Sequence, residues 1–89
     1  MRTVISVIGK DTVGIISKVS AVCAECGANI IDITQSVLDD MFVMVMLTDI
    51  KGLSCSFGEY KTRMGDLGKE LSLDIHVMHE DVFNSMHRI

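Results

Sequence analysis

Two kinds of hydrophobic pattern follow each other along the first part of the chain. Residues 2–8 are rich in β-branched side chains and divide into two alternating faces, which predicts a strand. Apolar residues then recur every three or four positions over residues 15–26, which predicts a helix with one buried face. Asp11 or Thr12 is placed to cap the start of this helix, and Gly27 is placed for a left-handed cap at its end.

A hairpin of two strands is predicted next, over residues 29–37 and 41–49, with residues 38–40 as its turn. The second of these strands is apolar on both faces, which predicts a central strand that is covered on both sides. The first strand alternates, and its two faces carry Ile31, Ile33, Gln35 and Val37 against Ile30, Asp32, Thr34 and Ser36.

The second half of the chain repeats the order of helix and strand. A capping box at Ser56 and Glu59, together with apolar residues at three- and four-residue spacing, predicts a helix that ends at Leu71. Residues 73–78 alternate again and predict a fourth strand. The tail over residues 80–89 has enough apolar side chains for a short docked helix.

The order β-α-β-β-α-β plus a tail defines the expected fold. Two split βαβ units with right-handed crossovers place four strands in one antiparallel sheet. We therefore predict an α+β, ferredoxin-like βαββαβ sandwich, with two helices on one face of the sheet and a short C-terminal tail. Residues 1–89 are expected to form a single domain.

The composition adds an expectation about assembly. The 89 residues are 48% apolar, and their mean hydropathy is +0.40, yet helices on one face leave the other face of the sheet open. Phe42, Met44 and Met46, or their neighbours on the opposite side of the strand, must lie on that open face. Since an apolar patch of this kind marks an interface, we expect a homo-oligomer, above all a dimer.

Charge, cysteine count and the length of apolar runs exclude several classes of partner. The formal net charge of −4 argues against direct binding of nucleic acid. No apolar run approaches the roughly 20 residues of a membrane helix, and the N-terminal pattern is not that of a signal peptide, so we expect no membrane association. The odd count of 3 cysteines, without disulfide spacing, indicates a cytoplasmic protein with reduced thiols.

Residues 9–14, GKDTVG, connect the first strand to the first helix and carry the most information about function. Unpaired N–H groups and the helix dipole favour a carboxylate or a phosphate at such a place, and glycines allow a ligand to approach the backbone closely. A plain turn with a capping Asp explains the same residues. The pattern is neither a Walker loop nor a dinucleotide-binding fingerprint.

Three stretches of the chain together resemble one family. They are VIGKDTVGIISKVSAVCAECGANIIDITQ, QSVLDDMFVMVMLTDI and HVMHEDVFNSMHRI. The first contains a G-x-D-x-x-G-[IL] turn after the strand, a helix that ends in Gly27, and Asn29-Ile30 at the start of the second strand. In this order the stretches resemble the ACT domain, a small regulatory module of amino-acid metabolism, and the whole chain resembles the stand-alone ACT proteins of the UPF0237 type.

The resemblance implies an amino-acid site at a subunit interface. From the residues themselves we expect no catalytic residues, metal or cofactor. Asp11 would accept from the ammonium group of the ligand, the backbone near Gly14 would donate to its carboxylate, and Asn29 would do both. Val13 stands where many ACT domains have Pro, which leaves the φ angle of the loop less restricted. The implied ligand-binding residues are Gly9, Lys10, Asp11, Gly14 and Ile15 in the loop, with Asn29 and Ile30 opposite.

Other chemistry-bearing residues have structural interpretations as well. Cys23 and Cys26 have a C-x-x-C spacing, yet both lie on the apolar stripe of the first helix and no second pair completes a zinc site.

His76 and His79 should point to opposite faces of a strand, so they share a metal only if the chain bends at His79. The remaining members of that candidate metal group are Glu80 and His87. A methionine group is either an adaptable binding surface or core and interface packing, and its members are Met41, Met44, Met46 and Met78.

Two classes of function stay open at this point. In the first, the chain is a regulatory module that binds an amino acid or a similar small metabolite at a homodimer interface and signals to a partner protein. In the second, it is a ligand-free interaction module that docks a protein through the open sheet face. An acylphosphatase-like enzyme is a weaker third hypothesis, because the loop region offers Lys10 and Lys18 but no Arg. Side-by-side and face-to-face dimers both stay open.

Overall fold

The computed structural model describes residues 1–10 and 13–86. Within them, the chain forms four strands and three helices. In chain order these elements are β1 (Arg2–Lys10), α1 (Ile15–Cys26), β2 (Asn29–Leu38), β3 (Met41–Asp49), α2 (Phe57–Leu71), β4 (Leu73–His79) and α3 (Glu80–Met86). Among the described residues, no helix combines the length and the apolar character needed to cross a membrane.

The four strands form one antiparallel sheet in the order β2-β3-β1-β4. Helices α1 and α2 pack on one face of this sheet, and the hydrophobic core lies between them and the sheet. Side chains from both helices and from the central strands are fully buried there, among them Val19, Cys23, Tyr60, Met64, Ile5, Met44 and Met46. The ferredoxin-like fold expected from the sequence is therefore confirmed.

Strand β3 has one buried face and one face that is only partly covered. The buried face, towards the helices, carries Phe42, Met44 and Met46. The open face carries Met41, Val43, Val45 and Leu47, of which the first is exposed and the others are half-buried. The prediction that β3 is covered on both sides is therefore wrong for a single chain, and the apolar residues on the open face are the opposite-side neighbours of the buried set.

Strand β1 is longer than its alternating pattern predicted. Gly9 pairs with Phe42 and Lys10 pairs with Met41, so the connection to α1 begins only after Lys10. A Cβ atom on Gly9 would lie 3.3 Å from the Cα atom of Leu73 and closer still to its side chain. Close packing between neighbouring strands therefore accounts for this glycine.

Strand β2 contains a β-bulge between Ile30 and Asp32. Ile30 pairs with Thr48 and packs against the core, whereas Asp32 pairs with Leu47 on the open face. The sequence pattern assigned Ile30 and Asp32 to one face, which is wrong, because the extra residue of a bulge shifts the two-residue alternation by one position.

The two ends of α1 are glycines in left-handed conformation. Gly27 ends the helix with φ 78°, as predicted, and a Cβ atom there would lie 2.6 Å from the carbonyl oxygen of Gly52. Gly14 begins the helix with φ 90° and makes no side-chain capping bond. The predicted capping residues Asp11 and Thr12 lie outside the described residues.

Helix α3 continues directly from β4 and lies against one end of the open sheet face, where Phe83 and Val4 line the same cleft. Arg2 and Glu80 form an ion pair that joins β1 to α3, with 3.0 Å between Nη2 and Oε1. The hydrogen bond from Arg2 lowers the pKa of the Glu80 carboxyl. A docked helix in the tail is thus confirmed for Glu80–Met86, while residues 87–89 lie outside the described part.

Candidate functional site

The N-terminus of α1 opens into a cleft of about 420 Å³, called the α1 cleft below. The helix starts with a 3.0 Å bond from the Lys18 N–H to the carbonyl of Gly14. Because Gly14 has no side chain and the first turn carries no acidic residue, nothing within that turn neutralises the N–H groups that precede Lys18. The α1 cleft is lined by Gly14, Ile15, Ile16, Gln35, Ser36, Val37 and Phe42.

The α1 cleft combines hydrogen-bond donors with an apolar wall. The N-terminus of a helix attracts carboxylates and phosphates, since its N–H groups are free and the helix dipole is positive there. Phe42 is buried and forms part of the apolar wall, while Gln35 brings a polar amide from β2 on the same side of the sheet. A cleft of this kind suits a small ligand with one anionic group and an apolar portion.

The described loop residues among those that the resemblance implicated lie at this end of the domain. Gly14 and Ile15 line the α1 cleft. Gly9 and Lys10 are the last two residues of β1, and Lys10 is exposed. Asp11, which was expected to bind the ligand's ammonium group, lies outside the described residues.

Asn29 and Ile30 lie at the opposite end of the domain. Both residues follow the C-terminal end of α1, and a helix of 12 residues is roughly 18 Å long. Asn29 is exposed and pairs with Asp49, whereas Ile30 is half-buried against the core. The structure therefore does not bring Asn29 to the α1 cleft within one chain.

Three residues of β2 that line the α1 cleft were missed by the sequence analysis, namely Gln35, Ser36 and Val37. One signal was present, because Gln35 is a polar residue on a strand face that is otherwise apolar. Its contribution to a cleft depends on where α1 begins relative to β2, which the strand pattern alone does not contain. Phe42 was predicted only as an apolar strand residue.

The cysteines of α1 are packing residues in this structure. Cys23 and Cys26 are fully buried, and burial raises the pKa of the Cys23 thiol. The Tyr60 hydroxyl lies 3.5 Å from Cys23 Sγ, and Arg63 Nη1 donates to Cys26 Sγ at 3.2 Å. The burial of Cys23 and the raised pKa of its thiol favour the buried-hydrophobe interpretation for this residue.

The members of the predicted histidine group, and those of the methionine group, lie in different parts of the structure. His76 pairs with Ser6 and His79 with Thr3, so the two imidazoles lie on opposite faces as expected. His79 Nδ1 accepts a 3.1 Å bond from the Asp81 N–H, and His87 lies outside the described residues. Across residues 1–10 and 13–86, no three His, Cys, Asp or Glu side chains are grouped to hold a metal ion. Met44 and Met46 are core residues, whereas Met41 is exposed.

Comparison with known proteins gives the class to which this fold belongs. Residues 2–78 match the family model of the ACT domain. An ACT domain protein from Streptococcus pneumoniae has a similar structure, with a TM-score of 0.80, 34% sequence identity and 93% of each chain covered. The chain therefore belongs to the ACT domain family, whose members are typically regulatory modules that bind small ligands.

Full-length relatives identify the group within that family. The chain is 44% identical to a UPF0237 protein of Listeria innocua over 89 residues, which covers 100% of both chains. It is 46% identical to a UPF0237 protein of Methanocaldococcus jannaschii over 88 residues, which covers 99% of this chain and 98% of that protein. Within the ACT domains, this is a chain of the UPF0237 type, as its motifs predicted.

Proposed function

We propose that the protein is a regulatory module of the cytoplasm, not an enzyme, that binds an amino acid or a similar small metabolite at a homodimer interface and signals to a protein partner. Membership of the ACT family supports the regulatory role. The α1 cleft supports the ligand class, because a helix N-terminus suits the ligand's carboxylate and an apolar wall suits its side chain.

Strand β2 supports the homodimer. It lies at the edge of the sheet, and its residues are exposed along its length apart from the half-buried Ile30. A long edge strand with exposed Ile31, Ile33 and Val37 is a template for pairing with another chain.

The observation that carries the proposal is that the α1 cleft and Asn29 lie at opposite ends of β2. If two copies pair their β2 strands antiparallel about a twofold axis, the first residue of one strand meets the last residue of the other. Asn29 of the partner subunit then lies near Leu38, at the end of β2 where Gln35 and Val37 line the α1 cleft. The loop and Asn29, which are far apart in one chain, thereby come to the same end of the interface.

The same geometry accounts for signalling. A ligand that contacts both subunits stabilises the dimer by mass action and favours any partner that binds this dimer. A ligand present at about 100 times its Kd adds about 2.7 kcal/mol to the stability of the liganded form.

The experiment is a thermal-shift screen of all the common amino acids, with the molar mass measured by light scattering in each condition. We expect one or a few amino acids to raise the Tm of a dimer, by about 10 °C or more at saturation. If no amino acid changes the Tm, the ligand-binding proposal is wrong.

Variants show which residues are needed for the Tm shift. Asn29→Ala and Asp11→Ala should abolish the shift, whereas Asp66→Ala, an exposed carboxylate on α2, should retain it. Ile33→Lys would place two like charges near the twofold axis, so it should give a monomer without a ligand response. Val82→Lys, at an exposed apolar residue of α3, is the matched control and should remain dimeric.

A ligand-free interaction module is the second candidate function. It is favoured by apolar side chains on the part of the open face away from α3, where Ile8 is 41% exposed and Met41 is 45% exposed. A protein partner of fixed stoichiometry, lost in Met41→Lys, combined with no response to any amino acid, would favour this function over ligand sensing.

A further inference from the structure

A second cleft lies on the other side of the sheet, between α3 and the open face. Its volume is about 280 Å³, and it is called the α3 cleft here. None of the residues that line it also lines the α1 cleft. These residues are Arg2, Val4, Asp32, Thr34, Val45, Leu47, Glu80, Phe83 and Asn84.

The floor of the α3 cleft is apolar and the two ends are polar. Val4, Val45 and Leu47 form the floor, from the central strands β1 and β3. Asp32 and Thr34 come from the edge strand β2 on one side. Arg2, Glu80 and Asn84 lie on the other side, towards α3.

The end at Asp32 is suited to an ammonium group. Asp32 Oδ1 accepts the Ile33 N–H at 2.9 Å, which fixes the carboxylate and leaves Oδ2 to accept from a ligand. The Thr34 hydroxyl lies two residues further along the same face. Among the residues that the structure describes, no cationic side chain lines this end of the cleft.

The end at Arg2 is suited to a carboxylate. Arg2 uses Nε and Nη2 to bind Glu80, which holds the guanidinium in place. A guanidinium has five N–H donors, so donors at Nη1 remain for a second acceptor. The Asn84 side-chain amide adds another donor at the same end.

The sheet separates these two ends. Arg2 is on β1 and Asp32 is on β2, with β3 between them. Asp32 is aligned with Leu47 on β3 and with Val4 on β1. Arg2 therefore lies two residues along the strand from the position aligned with Asp32. Strand spacing and rise per residue then place the two backbones roughly 12 Å apart. An α-amino acid, with its charges on one carbon, does not bridge such ends, whereas an aliphatic chain with a charge at each terminus does.

We propose that the α3 cleft is a second ligand site, which takes a short ω-amino acid with its ammonium group at Asp32, its methylene chain over Val4 and Leu47, and its carboxylate at Arg2. The site is separate from the proposed interface site. It needs no second subunit, so the Ile33→Lys variant retains it even where interface binding is lost.

Two isomeric probes test the spacing. 5-Aminopentanoate and L-2-aminopentanoate have the same atoms, but only the first has its charges at opposite ends. Titration followed by the methyl NMR signals of Val4, Val45 and Leu47 should show 5-aminopentanoate binding at least tenfold more tightly. Equal affinities, tighter binding of the 2-amino isomer, or no saturable shift with 5-aminopentanoate overturns the proposal.

Variants and truncated probes test the two ends. Asp32→Asn keeps an oxygen for the Ile33 N–H, so the fold is retained, and it should weaken 5-aminopentanoate and pentylamine at least tenfold while leaving pentanoate unchanged. Asp74→Asn, an exposed carboxylate opposite Ile8 on the same sheet face, is the control and should change no affinity. An Asp32→Asn protein that binds pentylamine as tightly as the unsubstituted chain contradicts the assignment.

Discussion

Replacement of Gly68 by Ala should destabilise the protein, although Ala is the better helix former. Gly68 is buried in α2 at the point where this helix crosses β4. A Cβ atom there would lie 2.7 Å from the carbonyl oxygen of Leu73 and 3.3 Å from Cγ1 of Ile75. Because the first of these is a backbone atom of a paired strand, α2 has to move away from the sheet.

Two opposing free energies decide the size of this effect. Ala in place of Gly inside a helix adds up to about 1 kcal/mol of stability. Overpacking a core contact costs roughly 1–3 kcal/mol, and a carbon–oxygen distance of 2.7 Å calls for the upper part of that range. We expect a net loss of about 1–2 kcal/mol for Gly68→Ala.

Gly65 on the same helix provides the matched control. A Cβ atom at Gly65 has no atom within 4 Å, so Gly65→Ala should stabilise the protein by up to about 1 kcal/mol. The two variants should therefore differ by about 2–3 kcal/mol, or by about 10–20 °C in Tm.

Urea unfolding followed by circular dichroism, at one fixed protein concentration, measures both variants. The concentration must be fixed because dimerisation makes the apparent stability depend on it. A Gly68→Ala protein as stable as the Gly65→Ala protein, with the same m value, would refute the reasoning from the close approach of α2 and β4.

Three further predictions concern the helix cap, the core and the docking of α3. Ser56 Oγ accepts a 3.1 Å bond from the Glu59 N–H, so Ser56→Ala should cost about 1 kcal/mol in urea unfolding, and an unchanged midpoint would contradict this. Met46→Ala should cost about 2–5 kcal/mol because Met46 is fully buried, while Met41→Ala at an exposed position should cost less than about 1 kcal/mol by the same assay. Acid should release α3 from the sheet. The hydrogen bond from Arg2 lowers the pKa of the Glu80 carboxyl from 4.5, so the ion pair stabilises the docked helix above about pH 4.5. This stabilisation is lost as the pH falls through the lowered value. NMR signals of α3 that stay unchanged until the sheet unfolds would contradict that reading of the ion pair.

The sequence by itself determined the order and type of the elements, because the signals for these are local. The three- and four-residue spacing in α1 and the Ser56 cap of α2 each depend on neighbours within one or two turns. The C-cap at Gly27 was equally predictable, because a left-handed C-cap depends on the conformation of one residue and favours glycine there. The motifs around these elements were also sufficient to place the chain in its family.

Only the tertiary structure decided which residues meet. The bulge at Ile30, the extension of β1 to Lys10 and the position of α3 over the open face all depend on pairing with distant strands. The same dependence separated Asn29 from Gly14 and brought Gln35 to the α1 cleft, because register and crossover geometry set distances between residues that the alternation of a single strand does not contain.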